Sequence, residues 1–172
     1  MNKCKAYSMQ LLAYHFKEGL ISGRIKFYYV FLACLILSFL NSFFFAFIAD
    51  HYFPEADLLN NPIDKESVPE QLLVACIFAP LLETWLFISL PNHLMNKFGI
   101  KSLYLLIIIP ALLFGVNHYY NPLYMIAMFF SGVLMSFLYI YCKWINTGRQ
   151  AFLYVVLLHA LYNLYAVLAR YL

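Results

Sequence analysis

The chain has 172 residues, of which 65% are hydrophobic, 20% are aromatic and 11% are charged, with a formal net charge of +3. Soluble domains carry about 25% charged residues, so the composition excludes an ordinary soluble domain and predicts an all-α polytopic membrane helical bundle. The basic residues are scattered over the connections between apolar runs, which argues against nucleic-acid binding.

Five long apolar runs predict about five transmembrane helices, preceded by an amphipathic helix. Apolar residues recur at helical spacing near the start of the chain, so residues 1–26 are predicted to be a cytoplasmic segment with a helix on the membrane surface. The apolar residues with this spacing are Met9, Leu12, Phe16 and Leu20. The predicted spans are residues 27–49, 71–90, 102–118, 123–142 and 151–169. Because proline interrupts helices, Pro91 is expected to end the second span.

The charges of the connections predict the orientation of the chain. Residues 50–70 contain six acidic residues and one lysine, which indicates a solvated extracytoplasmic loop more readily than a cation site. Residues 92–101 and 143–150 are basic and are therefore predicted to be cytoplasmic loops. This pattern places the N-terminus inside and leaves residues 71–169 as a core of four helices. The four cysteines have no CxxC spacing and are interpreted as small apolar fillers.

Glu83 is the only charged residue between Gln71 and Leu90, near the middle of the second span. A carboxylate at the centre of a bilayer costs about 2.5 kcal/mol or more, so such residues usually face a polar cavity and have partners. Two other runs offer partners, namely His118 at the end of the third span and His159 with Asn163 in the fifth. His159 and Asn163 are four residues apart and share one helix face.

These four side chains suit hydrolysis of a carbonyl compound. A carboxylate beside an imidazole can deprotonate and orient a water molecule, and a second imidazole with an amide can stabilise an oxyanion. Each residue also has a simpler explanation. Glu83 alone could be a structural hydrogen-bonded group, His118 an interfacial histidine, and His159 with Asn163 a polar contact between helices. Their joint occurrence favours a site.

The three polar segments resemble the CPBP family of intramembrane peptidases, also known as the CAAX protease and bacteriocin-processing (Abi) family. That family carries Glu-Glu-x-x-x-Arg, Phe-x-x-x-His and His-x-x-x-Asn motifs in this order. The chain has Glu83-Thr84 in the first, Phe114-x-x-x-His118 in the second and His159-x-x-x-Asn163 in the third. The resemblance covers about residues 72–168.

The resemblance implies a membrane-embedded glutamic endopeptidase that cleaves a peptide or a membrane-associated protein without a cofactor or metal. It implies that Glu83 and His118 activate water and that His159 and Asn163 form the oxyanion hole. It also implies an integral protein of the bacterial cytoplasmic membrane, with lipid and a peptide substrate as partners. The family's roles leave CAAX-type processing, bacteriocin processing or immunity, and peptide-signal maturation open.

The first motif departs from the family pattern at two positions. Thr84 stands where a second Glu is common, and Ile88 stands where Arg is common. A hydroxyl cannot replace a carboxylate, and Thr84 is expected to hydrogen-bond back to a carbonyl one turn earlier. The departures leave a non-catalytic membrane binding or immunity protein as one alternative. A zinc-dependent membrane protease is another, with Glu83, His118 and His159 as ligands, although no HExxH motif is present.

The predicted orientation can be tested by labelling single cysteines on a cysteine-free background. A cysteine at position 146 is expected to react only after the membrane is made permeable, because the basic loop that contains it is predicted to be cytoplasmic. Labelling of this position from the outside of intact cells would show that the predicted orientation is wrong.

Overall fold

In the computed structural model, which describes residues 18–19, 22, 25–53, 62–119 and 121–169, the chain is a bundle of five helices. The helices are α1 (Phe27–Tyr52), α2 (Val68–Lys97), α3 (Leu103–Asn117), α4 (Pro122–Ile145) and α5 (Gly148–Leu168). A short 3₁₀ turn, Pro62–Lys65, precedes α2. The predicted amphipathic helix falls almost entirely outside the described residues.

The helices α1, α3, α4 and α5 begin and end within three residues of the predicted spans. The prediction that Pro91 ends the second span is wrong, because α2 continues through it to Lys97. The connections after α2 and α4, residues 98–102 and 146–147, are both shorter than the predicted loops 92–101 and 143–150. Gly99, with a positive φ of 77°, follows the end of α2.

Two π-helical turns explain why α2 passes through two prolines. The turns Val74–Phe78 and Thr84–Ser89 each end two residues before a proline, Pro80 or Pro91. A proline inside an α-helix lacks an N–H and clashes with the carbonyl one turn earlier, whereas the wider π turn accommodates it. Glu83 lies between the two turns, at the end of the α-helical segment Ala79–Glu83.

The connection between α4 and α5 is a tight turn with a capped helix start. Thr147 precedes the first residue of α5 and accepts a hydrogen bond from the backbone N–H of Gln150, and the Gln150 side chain accepts one from the backbone N–H of Thr147. This capping box satisfies two N–H groups that a helix start leaves without partners. Gly148 therefore belongs to α5, although it lies within the predicted loop 143–150.

The helix α4 lies at the centre of the bundle and packs against α1, α2, α3 and α5. It supplies much of the buried core, including Met135, Leu138 and Tyr141, whose hydroxyl donates to the carbonyl of Ile25 before α1. Polar groups also join α1 to α4, because the side-chain amide of Asn41 donates to the carbonyl of Ala127 and to Ser131. These hydrogen bonds join α1 and the residue Ile25 before it to α4, one of the four helices α2 to α5.

The outer surface of the bundle is apolar, as a lipid-facing surface requires. Four of the described helices, α1, α2, α4 and α5, are long and apolar enough to cross a membrane, and α3 is a shorter apolar helix of 15 residues. Large apolar side chains are exposed on the outside of several helices, among them Leu37, Phe47, Ile77, Leu82, Leu112 and Val116. The protein is therefore a polytopic membrane helical bundle, as the composition predicts.

A close approach between α3 and α4 depends on Gly132. A Cβ atom added to Gly132 would lie 2.9 Å from the Cα of Ala111 and 3.2 Å from the Cβ of Phe114. Both neighbouring atoms belong to a packed helix and cannot move independently. Close approach through small residues is a common basis of helix packing in membranes, and here it fixes the helix that carries Phe114 and His118.

We expect Gly132→Ala to destabilise the protein by about 1–3 kcal/mol, because the added methyl group pushes α3 away from α4. The measurement is the midpoint of thermal unfolding in detergent. Gly148→Ala is a matched control, since a Cβ at Gly148 meets no atom within 4 Å. The control should leave stability unchanged or raise it by up to about 1 kcal/mol. Equal midpoints for the two variants would contradict the packing argument.

Candidate active site

The four polar residues that the sequence singles out line one cavity. Glu83 comes from α2, His118 from the end of α3, and His159 and Asn163 from α5. The cavity has a volume of about 600 Å³ and is also bordered by α1. A site of this size between the helices of a bundle is typical of ligand-binding sites. The arrangement agrees with the prediction that these residues face a common polar space.

Glu83 and His159 are direct neighbours in this cavity. The Oε2 atom of Glu83 lies 3.7 Å from Nε2 of His159, which is within ion-pair range and slightly beyond a hydrogen bond. The side chain of His159 is 5% exposed and that of Glu83 is 22% exposed, so the carboxylate faces the cavity while the imidazole forms part of its wall. An imidazole at this position can stabilise a carboxylate that would otherwise be costly inside the membrane.

His118 is oriented by its own helix. It caps the C-terminus of α3, and its Nδ1 atom lies 2.8 Å from the carbonyl oxygen of Phe114. A carbonyl oxygen only accepts hydrogen bonds, so Nδ1 carries the proton and donates it. In the neutral ring, Nε2 is then the basic nitrogen. The Phe-x-x-x-His spacing therefore has a local cause, since a residue and the carbonyl four positions earlier meet on one helical turn.

The ring of Phe114 packs against both histidines. Its centroid lies 4.9 Å from that of His118 and 5.5 Å from that of His159. Tyr124 of α4 packs edge-to-face against His118 on another side, with the ring centroids 5.4 Å apart. Rings at these distances restrict the rotation of both imidazoles. Phe114 thus positions His118 through its backbone and both histidines through its side chain.

Asn163 is anchored on α2 through a backbone carbonyl. Its side-chain Nδ2 donates to the carbonyl oxygen of Ala75 at 2.7 Å. The backbone N–H of Ala79 donates to the carbonyl of Val74, five residues earlier. In the same pattern the next residue would donate to the carbonyl of Ala75, but that residue is Pro80, which has no N–H. The π turn and the proline thereby leave the Ala75 carbonyl without a backbone donor, and the Asn163 amide donates to it instead. The second hydrogen of Nδ2 is oriented by the same bond.

The two positions that depart from the family motif lie away from the cavity. Thr84 and Ile88 are fully buried on the packed side of α2, and Ile88 belongs to the main apolar core. The expected hydrogen bond from Thr84 to a carbonyl one turn earlier is absent, because its Oγ1 atom has no hydrogen-bond partner among the described residues. Thr84 begins a π turn, where the backbone carbonyls are displaced from their α-helical positions.

Sequence reasoning missed several residues of the cavity wall. Ser42 of α1 and Tyr162 of α5 both line it, and the two side chains are hydrogen-bonded to each other. Tyr162 follows His159 by three residues, so their common helix face was a usable signal. Ser42 carried no such signal, since it lies outside the three motifs.

The three residues considered as zinc ligands are not arranged as a metal site. In the part of the chain that the structure describes, no group of three or more His, Cys, Asp or Glu side chains could hold a metal ion. Glu83 and His159 are neighbours, with Oε2 and Nε2 3.7 Å apart. The Nδ1 atom of His118 donates a hydrogen bond to the Phe114 carbonyl and so cannot bind a metal ion.

Comparison with known proteins identifies the family. A family model described as Rce1-like, type II CAAX prenyl endopeptidase, matches residues 66–165, which is more than half of the chain. A search of curated proteins and a search of solved structures gave no match. The matched residues include Glu83, His118, His159 and Asn163 and span α2 to most of α5. The chain therefore belongs to the Rce1-like family of type II CAAX prenyl endopeptidases, a family of membrane proteases.

Proposed function

We propose that the protein is a glutamic intramembrane endopeptidase that hydrolyses a peptide bond in a peptide or a membrane-associated protein. The observation that carries the proposal is the convergence of Glu83, His118, His159 and Asn163 on one cavity inside an apolar bundle. Membership of a protease family supports the reaction class. The cavity of about 600 Å³ is large enough for several residues of an extended peptide.

Glu83 and His118 are proposed to activate the attacking water. A general base has to reach the water within hydrogen-bonding distance, and both side chains border the cavity in which the water would lie. His118 donates from Nδ1 to Phe114, so its basic nitrogen is Nε2. Glu83 would take the proton from the water and later deliver it to the leaving amine.

His159 and Asn163 are proposed to stabilise the oxyanion of the tetrahedral intermediate. His159 is fixed in the cavity wall by burial, and one hydrogen of the Asn163 amide is used on Ala75. The other amide hydrogen and the Nε2–H of His159 can then point at the developing charge. Donors that are already oriented are the most effective, because they need no rearrangement during the reaction.

The departures at Thr84 and Ile88 do not remove a group from the proposed reaction. Both side chains are buried against the neighbouring helices and neither borders the cavity. Thr and Ile at these positions carry no charge, and replacing a buried ion pair by uncharged side chains is often neutral for stability. The location of these residues therefore supports catalysis over a binding protein that has lost its activity.

We expect Glu83→Gln to lower turnover by about 10² or more, because the amide keeps the shape but cannot accept the proton. The measurement compares the membrane peptidome of cells that produce the wild type or the variant. Glu66→Gln is a matched control, since Glu66 is exposed and does not border the cavity. Normal processing by folded and membrane-inserted Glu83→Gln protein would show that Glu83 is not the general base.

The same variant distinguishes the peptidase from an immunity or binding protein, because a binding protein should retain its phenotype without the Glu83 carboxylate.

A metal chelator distinguishes the proposed mechanism from that of a zinc-dependent protease. Because no proposed step uses a metal, EDTA is expected to leave turnover unchanged, and a loss that zinc restores would overturn the metal-free mechanism.

Asn163→Ala is expected to lower kcat by roughly 10²–10³ with a smaller effect on KM, because an oxyanion donor acts mainly in the transition state. The substitution also leaves the Ala75 carbonyl without its donor. A second substitution, Pro80→Ala, supplies a backbone N–H next to that carbonyl and so separates the two effects. If Asn163 were only a structural anchor, the Pro80→Ala/Asn163→Ala double variant would regain activity. We expect it to regain stability and remain inactive.

A further inference from the structure

A second, much smaller cavity lies behind His159. It has a volume of about 10 Å³, at the lower limit of the space that one buried water requires. His159 borders both this cavity and the large one. The Nε2 atom faces Glu83, while the other nitrogen, Nδ1, is buried and has no hydrogen-bond partner among the described residues. A buried polar atom without a partner destabilises a fold, so a partner for Nδ1 is expected.

Three hydroxyl groups border the small cavity, those of Ser38, Ser131 and Tyr162. Ser38 donates its hydrogen to the carbonyl of Cys34, so its oxygen can only accept a further hydrogen bond. Ser131 accepts from the amide of Asn41 and is hydrogen-bonded to Tyr162. The cavity therefore contains both an acceptor and hydroxyl groups that can donate, which are the partners that a buried water needs.

We propose that the small cavity holds one structural water, which donates to Nδ1 of His159 and to the oxygen of Ser38 and accepts from Ser131 or Tyr162. Accepting a hydrogen bond at Nδ1 places the ring proton on Nε2, because the bond made by one imidazole nitrogen sets the protonation of the other. The Nε2–H then points at Glu83 and into the large cavity. Ser38 and Ser131 are positioning residues in this arrangement, since they act on His159 through the water.

The functional importance of this tautomer rests on the proposed function, because an oxyanion donor must carry its hydrogen on the nitrogen that faces the substrate. The proposed water also extends the site beyond the residues that match the family. Ser38 belongs to α1, which precedes the matched residues 66–165. The first helix would thus contribute to the protonation state of a side chain on the last.

The test is the tautomer of His159, measured by ¹⁵N NMR on the full chain in lipid nanodiscs with ¹⁵N-labelled histidine. The spectrum is recorded at about pH 8, above the usual pKa of histidine, and His159 is assigned from the spectrum of His159→Gln. We expect a protonated Nε2 and an unprotonated Nδ1 with a cross-relaxation signal to water. A protonated Nδ1 in the wild type would overturn the inference.

The Ser38→Ala/Ser131→Ala double variant removes two of the three hydroxyl groups and no residue of the large cavity. In this variant the Nδ1 resonance is expected to move towards the protonated range and the signal to water to disappear. Ser136→Ala is the matched control, because Ser136 is a buried serine of α4 that borders neither cavity. Its spectrum should equal that of the wild type. An unchanged His159 spectrum in the double variant, or an equal change in the control, would overturn the inference.

Ser38→Ala alone serves if the double variant does not fold, and a shift of the Nδ1 resonance in the same direction is expected. These measurements need no substrate, so they separate the inference from the proposed function. Activity in Glu83→Gln protein would refute the peptidase mechanism and leave the tautomer measured in the wild type as it stands. A wrong tautomer would refute the structural water and leave Glu83 as the candidate base.

Discussion

The carboxylate of Glu83 lies in the middle of a helix that is long enough to span the bilayer, and it has to be stabilised there. A charge at this depth costs about 2.5 kcal/mol or more when it faces lipid, so the bundle has to surround it with a polar space. The imidazole of His159 at 3.7 Å and the cavity of about 600 Å³ provide that space. The packing of α3 and α5 against α2, with α1 bordering the cavity, can be understood as enclosing this one side chain.

Backbone carbonyls orient two of the motif residues. In a bilayer every buried carbonyl needs a donor within the protein, and helix ends and proline-containing turns are the places where donors are lacking. His118 donates to the carbonyl of Phe114 at the end of α3, and Asn163 donates to that of Ala75 in a π turn of α2. The same hydrogen bonds satisfy the backbone and fix the side chains, so stability and site geometry are coupled at both positions.

The sequence predicted the helical class and four polar residues of the cavity, because polar side chains stand out in apolar runs. It failed at Pro91, because a proline ends an α-helix but not a helix whose preceding turn is π-helical, and that turn is not visible in composition. The bond from Asn163 to Ala75 was unpredictable for the same reason. The spacing of three residues between His159 and Tyr162 was a usable signal, but Tyr162 was missed because the 15 tyrosines of the chain drew attention away from any single one.

Hydrolysis consumes water, which is scarce in hydrocarbon, and the length of α3 bears on how it arrives. A helix of 15 residues is about 22 Å long, roughly 8 Å less than a hydrocarbon core of about 30 Å. The charged and exposed Lys101 holds the start of α3 at one aqueous surface, so the shortfall lies at the other end, where His118 stands. The bilayer has to thin or admit solvent there. Hydrophobic mismatch at a single short helix would thereby bring water to His118, the residue proposed to activate it.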